Sequence, residues 1–366
     1  MPSRRWPAVV VAGIVAMLLP GVAAPQEPPC DNPFSVTQSF PTLGAEQTRW
    51  EVTGCSRMPN GVVITTTRFW KSPSVPIQLF HDARVSEIFV VYDDGLRFYD
   101  ISEVSTGPLP LSVSECPAAV GQLMAADTVC REVRDRGLAF RDDTSARRGE
   151  ELVLWGIIGA DNYKYVVEWR FRDDGVVLGR VGATGRNAPG AHHVSHVHSV
   201  TWRLDIDLDG PGGDSVRTHA HHDPSVSGLS GDREALIGKE RGIVWAPVQF
   251  TTLHISDATL VNAQGKRSQY VLIPERSGTA RHAEAHSKQD FWVTRSRGKG
   301  LELQARDLPR YISPQESVAN TDLVVWYTGS LHHEERDEDD GGPTHIMWIG
   351  FTLKPHDLFD SSPLYP

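Results

Sequence analysis

Short runs of alternating hydrophobic and polar residues recur along this chain and predict β-strands. β-Branched and aromatic residues are concentrated in these runs, and Gly, Asp, Asn and Pro separate one run from the next. Helical periodicity is weak, and its best candidate is the segment 117–126. The pattern therefore predicts an all-β fold, an antiparallel β-sandwich. The predicted strands are Val62–Phe69, Ile88–Tyr92, Leu152–Ile157, Tyr165–Phe171, Val176–Val181, Val197–Leu208, Gln269–Leu272, Phe291–Thr294, Leu323–Tyr327 and Trp348–Leu353.

The first 24 residues have the pattern of a secretory signal peptide. Arg4 and Arg5 precede an apolar run from Ala8 to Leu19, and small residues follow up to Ala24. This run is shorter than the roughly 20 residues that a membrane-spanning helix needs, and no later segment qualifies. We therefore expect a secreted or periplasmic protein with no membrane partner, in which residues 25–49 form an N-terminal extension.

Cysteine content and net charge give further information on the compartment and the partners of this protein. In an oxidising compartment, an even number of cysteines predicts disulfides. Three pairings are open, of which Cys30–Cys55 together with Cys116–Cys130 is the simplest. The formal net charge of −10 makes nucleic acid a poor partner.

One predicted strand carries two kinds of metal ligand. In the segment HVHSVTWRLDIDLDG (196–210), period-two alternation places His196 and His198 on one face and Asp205 and Asp207 on the other. Imidazole suits copper, zinc, iron or nickel, whereas carboxylates suit calcium, magnesium or manganese. The strand therefore predicts sites for two different metal ions. A calcium loop of the EF-hand type is excluded, because its twelfth position would be Val216.

Four motifs, in chain order, resemble segments of the copper amine oxidases, whose active site contains topaquinone, a quinone made from a tyrosine. They are NYKYVVEW (162–169), HVHSVTWRLDIDLDG (196–210), NTDLVVWYTGSLHH (320–333) and GFTLKPHDLFDSSP (350–363). Each motif alone is a weak signal, but their order and spacing over more than half the chain are hard to obtain by chance. The resemblance covers the catalytic domain of that family, and residues 50–366 are interpreted as this domain.

The resemblance implies a fold, a chemistry and a set of site residues. The fold would be an antiparallel β-super-sandwich in a homodimer, and the reaction would oxidise a small primary amine with O2 to aldehyde, ammonia and hydrogen peroxide. Tyr163 would be the catalytic tyrosine that becomes topaquinone, and Asn162 precedes it in the cofactor motif. The implied metal ligands are His196, His198 and His333 for Cu(II), and Asp205, Asp207 and Asp322 for a second ion, with Ca(II) as the candidate.

Two departures from the family pattern leave an alternative open. In the family, a tyrosine and a catalytic-base aspartate follow the glutamate that Glu103 resembles, but only twelve residues separate Glu103 from Cys116, and they contain neither. Lys164 stands where the family has an acidic residue. The alternative is a copper-binding relative that has lost amine turnover. The conceivable substitutes for the base are Asp93, Asp94 and Glu115, although the sequence aims none of them at Tyr163.

Other histidines are weaker candidates for metal binding. They cluster in Gly-, Pro- and Asp-rich surroundings that favour exposed imidazoles over designed ligands. A zinc hydrolase built on three histidines is a more distant alternative, because no general base is placed as zinc hydrolases place theirs. These additional histidines are His192, His193, His219, His221 and His222.

Overall fold

Two antiparallel sheets form the molecule. The computed structural model describes residues 30–71, 76–186, 194–276, 284–297, 304–339 and 342–364, so the predicted signal peptide lies outside the described residues. Within these ranges the strands form one sheet of ten and one of eleven. The predicted all-β super-sandwich is confirmed.

The ten-stranded sheet contains the strand that carries the two histidines and two aspartates. Its strand order is Asn32–Phe40, Thr48–Arg57, Gly61–Lys71, Phe80–Tyr92, His196–Ile206, Leu323–His333, Phe291–Arg295 and Arg241–Ile243, with Ile77–Gln78 and Arg97–Tyr99 paired beside this path. The His196–Ile206 strand is thus central, because neighbours pair with both of its edges.

The eleven-stranded sheet contains the strand that begins with Tyr163. Its strand order is Gly231–Leu236, Asp214–His222, Thr252–Val261, Arg267–Pro274, Thr344–His356, Val177–Gly185, Tyr163–Arg172, Ala146–Ala160, Val129–Arg141 and Gly121–Met124, with Ser105–Leu109 paired to Ala146–Ala160. Helical turns in the described residues are short: Asp100–Val104, Pro224–Ser227, Ala305–Asp307, Leu308–Tyr311 and Asp337–Asp339.

The helix expected around 117–126 is wrong. Gly121–Met124 is instead a short strand that pairs with the start of Val129–Arg141. The Cys116–Cys130 disulfide lies against Gly121, where an added Cβ would come within 3 Å of both sulfur atoms. The cross-link therefore favours the extended hairpin over the weak local helix propensity.

The two disulfides have the pairing that was the simplest of the three open from the sequence. Cys30 is bonded to Cys55 and Cys116 to Cys130, with Cα–Cα distances of 5.7 Å and 5.9 Å. The first one ties the beginning of the described chain to the Thr48–Arg57 strand. No helix in the described part of the chain is long and apolar enough to cross a membrane.

Aromatic side chains from both sheets meet in the core between them. Trp202 and Tyr327, on adjacent strands of the ten-stranded sheet, stack with ring centroids 5.6 Å apart. Phe351 from the opposite sheet packs edge-on against both of them, at 5.4 Å and 6.0 Å, and against Trp169 at 6.1 Å. Since all four residues are fully buried, they hold the sheets together beside the functional site.

Truncation of Trp202 to Ala is therefore expected to lower the free energy of unfolding by about 3–5 kcal/mol, because it leaves a large cavity between the sheets. Urea unfolding of the metal-free protein measures this loss. Trp70→Ala is the matched control, since Trp70 is only half-buried beneath Arg49. Equal losses in the two variants would contradict the assigned core.

Candidate active site and metal centres

Three histidines from two adjacent strands form a buried cluster. His196 lies directly opposite His333 in the pairing of His196–Ile206 with Leu323–His333. His198 is two residues further on and therefore points to the same face. All three residues are buried, and one ring nitrogen of each lies within 4.8 Å of the others. The structure thus brings together the three histidines that the sequence singled out.

Tyr163 reaches this cluster from the opposite sheet. Its Oη lies 2.8 Å from Nε2 of His196 and 2.8 Å from Nδ1 of His333. The side chain of Asn162, by contrast, donates to the backbone carbonyl of Arg186 at 2.6 Å. The phenol of Tyr163 therefore lies inside the histidine cluster, and the Asn162 amide supports the neighbouring turn.

Each histidine holds a hydrogen-bond partner on its other ring nitrogen. Nδ1 of His196 lies 3.1 Å from the carbonyl of Val194, and Nε2 of His333 lies 3.1 Å from Asp339 Oδ2. Nδ1 of His198 lies 3.0 Å from the hydroxyl of Tyr165. Partners of this kind fix the tautomer and orientation of metal-ligating imidazoles. Nε2 of His196, Nε2 of His198 and Nδ1 of His333 face the cluster, where the Tyr163 hydroxyl contacts the first and the third, and these three nitrogens could bind a shared ion.

The protonation states of His196 and His333 are compatible with metal binding. Burial lowers the pKa of His196 to about 4, and burial also lowers the pKa of His333, although Asp339 opposes that shift. Both imidazoles are therefore neutral at pH 7, the form in which histidine binds metals. Burial raises the pKa of Tyr163 well above its usual value, so its phenol is protonated in the metal-free protein. A cluster of three imidazoles fits Cu(II), for which imidazole is a favoured ligand.

A second cluster consists of carboxylates at the end of the same strand: Asp205 lies in it, Asp207 follows its last residue by one, and Asp322 directly precedes the neighbouring strand Leu323–His333. One oxygen of each of Asp205, Asp207 and Asp322 lies within 4.8 Å of the others. In each residue Oδ1 is buried without a hydrogen-bond partner. Arg203 donates to the other oxygen of Asp205 at 2.9 Å, which turns Oδ1 toward the cluster.

Burial raises the pKa of Asp207 to about 7, and the charges of Asp205 and Asp322 add to this shift. The mutual repulsion of the three carboxylates is the kind that a bound cation relieves. An all-oxygen ligand set fits a hard ion such as Ca²⁺.

Asp214 is a further carboxylate that the sequence analysis missed. Its side chain is completely buried, and neither oxygen has a hydrogen bond of good geometry. Burial raises its pKa to about 9, with contributions from the charges of Asp207, Asp257 and Asp322. The glycine-rich loop after residue 208 leads the chain to the opposite sheet and returns Asp214 to the carboxylate cluster. Its proximity to Asp207 depends on the path of that loop, which no local pattern reveals.

Asp100 and Tyr165 also lie near the histidine cluster and were not predicted. The ring of Tyr165 stacks on that of Tyr163, with centroids 5.9 Å apart, and its hydroxyl donates to Asp100. Period-two alternation from Tyr163 would have placed Tyr165 on the same face. Asp100 lies in a helical turn between the sheets, and nothing in its sequence neighbourhood signals this contact.

The substitutes considered for a catalytic base have local roles. Asp94 accepts from the backbone N–H of Leu96 in an exposed turn, and Asp93 is in the same turn. Glu115 accepts from the backbone and hydroxyl of Ser112 in an exposed loop. The ammonium of Lys164 donates to the carbonyls of Asp161 and Tyr163, so its charge is held against the turn preceding the strand.

Among the weaker histidine candidates, His192 and His193 lie outside the described residues. His219 stacks on His254 with ring centroids 4.4 Å apart, and His221 pairs with exposed Asp232. Stacked imidazoles do not direct their nitrogens at one point. In the described part of the chain, the clusters with metal-binding geometry are the histidine and carboxylate clusters above.

The fold and the histidine cluster define a β-sandwich with a candidate copper centre, and comparison with known proteins names the class. The model of the copper amine oxidase enzyme domain matches residues 134–365. This chain belongs to the copper amine oxidase family.

The relatives are distant and longer than this chain. A histamine oxidase of Arthrobacter globiformis is 27% identical over 64% of this chain and 41% of its own length. A primary amine oxidase of Klebsiella aerogenes is 27% identical over 61% of this chain and 36% of its own length. The solved structure of a copper-containing benzylamine oxidase from Hansenula polymorpha superposes with a TM-score of 0.69 at 18% identity, covering 87% of this chain and 60% of that one. The matched regions thus span less than two thirds of each relative.

Proposed function

We propose that this protein is an exported, copper- and topaquinone-dependent oxidase of small primary amines. Its products would be an aldehyde, ammonia and hydrogen peroxide. The observation that carries this proposal is the position of the Tyr163 hydroxyl, 2.8 Å from nitrogens of both His196 and His333. A metal ion bound by the three histidines would lie beside the tyrosine ring.

The ligands of the proposed copper site come from residues that the fold already holds in place. His196, His198 and His333 would bind Cu(II) through the nitrogens that face the cluster. Asp339 supports His333 and is itself held by two hydrogen bonds from Arg336, at 2.6 Å and 3.0 Å. Hydrogen bonds from Arg336 and His333 lower the pKa of Asp339 despite its burial, which keeps the carboxylate charged. When bound, copper would activate O2 and supply the redox chemistry that converts Tyr163 into the quinone.

Family membership supports amine oxidation, and the cluster geometry supports the copper and cofactor positions. Tyr92 stacks on His196 with ring centroids 4.1 Å apart, which helps to hold the imidazole in place. The ring of Tyr165 stacks on the ring of Tyr163, with centroids 5.9 Å apart, and helps to hold it in place. These contacts orient the ring before any metal is present, and such pre-organisation lowers the cost of assembling the site.

A second candidate is a copper-binding relative without amine turnover. It is favoured by the short connection after Glu103, where Ser105–Leu109 pairs directly with Ala146–Ala160. Glu103 itself is exposed and forms an ion pair with Arg306 at 2.6 Å. General-base catalysis typically contributes 10²–10⁴-fold, so an enzyme without a substitute base would be slow.

Reconstitution distinguishes the two candidates. The full chain would be expressed without copper, purified, and then exposed to Cu(II) in air, with Zn(II) in air as the matched control. An oxidase is expected to develop a visible absorbance with Cu(II) alone, and one equivalent of phenylhydrazine should titrate it. Peroxide release would then be assayed across a panel of primary amines.

The possible outcomes of this reconstitution distinguish copper binding, cofactor formation and amine turnover. Copper binding with a chromophore and peroxide release supports the oxidase. A chromophore without peroxide from any amine supports the relative that has lost turnover. Stoichiometric copper without a phenylhydrazine-reactive species would overturn the assignment of Tyr163.

We also propose that Asp205, Asp207 and Asp322 bind Ca²⁺, with the carbonyls of Ile206 and Leu323 as further ligands and Asp214 as a fourth carboxylate nearby. Ca²⁺ is expected to raise the melting temperature of the wild type, because a ligand that binds only the folded state stabilises it. Asp207→Asn should lose most of this increase. Burial raises the pKa of Asp214 to about 9, so its carboxyl is neutral at pH 7 without metal. Asp214→Asn should therefore melt close to the wild type in EDTA and gain less from Ca²⁺.

Differential scanning calorimetry with EDTA or Ca²⁺ checks this prediction, with Asp232→Asn as the control, since Asp232 is exposed. An Asp214→Asn protein that responds to Ca²⁺ like the wild type would remove Asp214 from the site. Absence of any Ca²⁺ effect on the wild type would contradict the second metal centre.

Export and dimerisation belong to the same proposal. Residues 1–24 would direct secretion, residues 25–49 would form an extension, and residues 50–366 would form the catalytic domain of a homodimer. The two disulfides are compatible with an oxidising compartment. N-terminal sequencing of the exported protein and light scattering of the purified one test these points.

A further inference from the structure

A buried relay of three side chains leads from Asp100 to the histidine cluster. The hydroxyl of Tyr165 donates its hydrogen to Asp100 Oδ2. The same hydroxyl lies 3.0 Å from Nδ1 of His198. Asp100 is 5% exposed, and Tyr165 and His198 are not exposed at all, so water does not compete for these contacts.

The direction of the hydrogen bonds follows from counting hydrogens. A tyrosine hydroxyl has one hydrogen and can both donate and accept. Because the hydrogen is directed at Asp100, the oxygen of Tyr165 acts as acceptor toward His198. Nδ1 of His198 must then carry the N–H, and Nε2 has its lone pair. Without Asp100, the hydroxyl of Tyr165 could donate to Nδ1, and the N–H of His198 would then be on Nε2.

The turn that carries Asp100 is anchored to the scaffold of the histidines. Glu87 is fully buried on the Phe80–Tyr92 strand, and its Oε1 accepts from the backbone N–H of Ile101 at 3.0 Å. It also accepts from the backbone N–H of Ile88 at 3.0 Å. This strand pairs with the strand of His198, which lies opposite Val90. Asp100 and His198 are therefore held at a fixed separation by the same sheet.

Burying the carboxylate of Asp100 costs free energy, which indicates that this residue has a specific role. Burial raises the pKa of Asp100 to about 7, and the hydrogen bond from Tyr165 opposes that shift, while the charges of Glu87 and Asp161 add to it. Even when protonated, a carboxyl group keeps an oxygen that can accept from Tyr165. An alanine or leucine at position 100 would avoid the cost of burying a charge, and it could not accept a hydrogen bond.

We infer that Asp100 is a positioning residue for the copper centre, which acts through Tyr165 to set His198 in the tautomer that directs Nε2 at the metal. This inference rests on the proposed copper site and adds to it residues outside the ligand set. His196 relies on a carbonyl and His333 on a carboxylate, and both are unambiguous acceptors. Among the partners of the outer ring nitrogens, only the Tyr165 hydroxyl beside His198 can also donate a hydrogen, and Asp100 accepts that hydrogen.

The first test needs no metal. In the copper-free protein, ¹⁵N-detected imidazole spectra are expected to show His198 protonated at Nδ1, with the signal assigned by its loss in His198→Ala. Asp100→Ala and Tyr165→Phe should each shift His198 toward the Nε2-protonated form. An unchanged tautomer in both variants would overturn the relay, whatever the protein does with copper.

The second test measures copper affinity by competition with a chelator of known affinity. Asp100→Ala and Tyr165→Phe are each expected to weaken Cu(II) binding by about 10–100-fold, the usual effect of losing an outer partner of a metal ligand. Asp100→Asn keeps an acceptor oxygen and the side-chain volume, so it should lose less than Asp100→Ala. The Asp100→Ala/Tyr165→Phe double variant should bind no more weakly than the weaker single variant, because residues of one relay are not additive.

Tyr270→Phe is the matched control. Tyr270 is also a buried tyrosine, but its hydroxyl donates to the carbonyl of Gly175 at 3.0 Å. Its loss should leave copper affinity and the Cu(II) electron paramagnetic resonance spectrum unchanged, whereas the relay variants should show a second, altered copper signal. Equal weakening in Tyr270→Phe would mean a general effect on the core and would overturn the inference.

The failures of this inference and of the proposed function are distinguishable. If the wild type binds no copper, the copper site is wrong, and the tautomer measurement still judges the relay. If the wild type binds copper and forms a chromophore while the relay variants bind as tightly, only the relay is wrong. Melting temperatures in EDTA identify any variant that fails to fold. If Asp100→Ala does not fold, the His198 tautomer and the copper affinity of the isosteric Asp100→Asn variant test the relay instead.

Discussion

Replacement of Tyr163 by Phe is expected to abolish the phenylhydrazine-reactive chromophore and reduce amine turnover to background, while copper binding persists. The reason is chemical. A phenol is electron-rich and can be oxidised beside copper and O2, whereas a phenyl ring lacks the oxygen from which the quinone begins. The three histidines keep their own outer partners in the variant, so the ligand set is preserved.

Copper stoichiometry, visible absorbance and peroxide release, measured on the same reconstituted sample, check this expectation. The single hydrogen of the Tyr163 hydroxyl can bond His196 or His333, and loss of this hydrogen bond should lower the stability by about 0.5–1.5 kcal/mol. Tyr270→Phe again serves as control, and it should form the chromophore normally. A phenylhydrazine-reactive species in the Tyr163→Phe protein would exclude Tyr163 as the precursor.

Removal of His333 should have the next largest effect, a loss of copper affinity greater than the 10–100-fold typical of an outer partner. His333→Ala removes a ligand and leaves two imidazoles, which cannot enclose the ion in the same way. The neighbouring His332 is the natural control. It lies on the same strand, but its side chain points to the opposite face and is exposed.

The copper affinities of His333→Ala and His332→Ala are compared by competition with the same chelator. His332→Ala should bind copper as tightly as the wild type. Equal losses would contradict the strand parity that separates the two histidines. Tight binding by His333→Ala would show that copper is held elsewhere.

Much of the site follows from the alternation of side chains along strands. The parity of residues 196 to 207 separates imidazoles from carboxylates, and the structure places them on opposite faces of the sheet. The strands that the sequence predicted overlap observed ones, because their β-branched and aromatic residues fill the core. Strands with few buried residues were missed, such as Gly231–Leu236, in which every residue is exposed.

The contacts that support the site have a different origin. Asp339 reaches His333 through the short turn Asp337–Asp339 that follows the Leu323–His333 strand. Asp100, Glu87 and Asp214 reach their partners through connections between strands or sheets, and their local sequences are those of ordinary turns and strands. Their burial and hydrogen bonding were therefore invisible before the structure.

The sequence by itself determined the fold class and the cysteines that form the disulfides. Strand periodicity placed His196 and His198 apart from Asp205 and Asp207, and the family motifs predicted Tyr163, His333 and Asp322 as further site residues. Residue type, periodicity and motif order are all features of the local sequence. Only the tertiary structure decided that the Tyr163 hydroxyl contacts His196 and His333, that Tyr165 donates to Asp100, and that Asp214 lies near the second cluster. Each of these depends on which strands are neighbours and on how the two sheets face each other, and burial then gives the resulting hydrogen bonds and charges their strength.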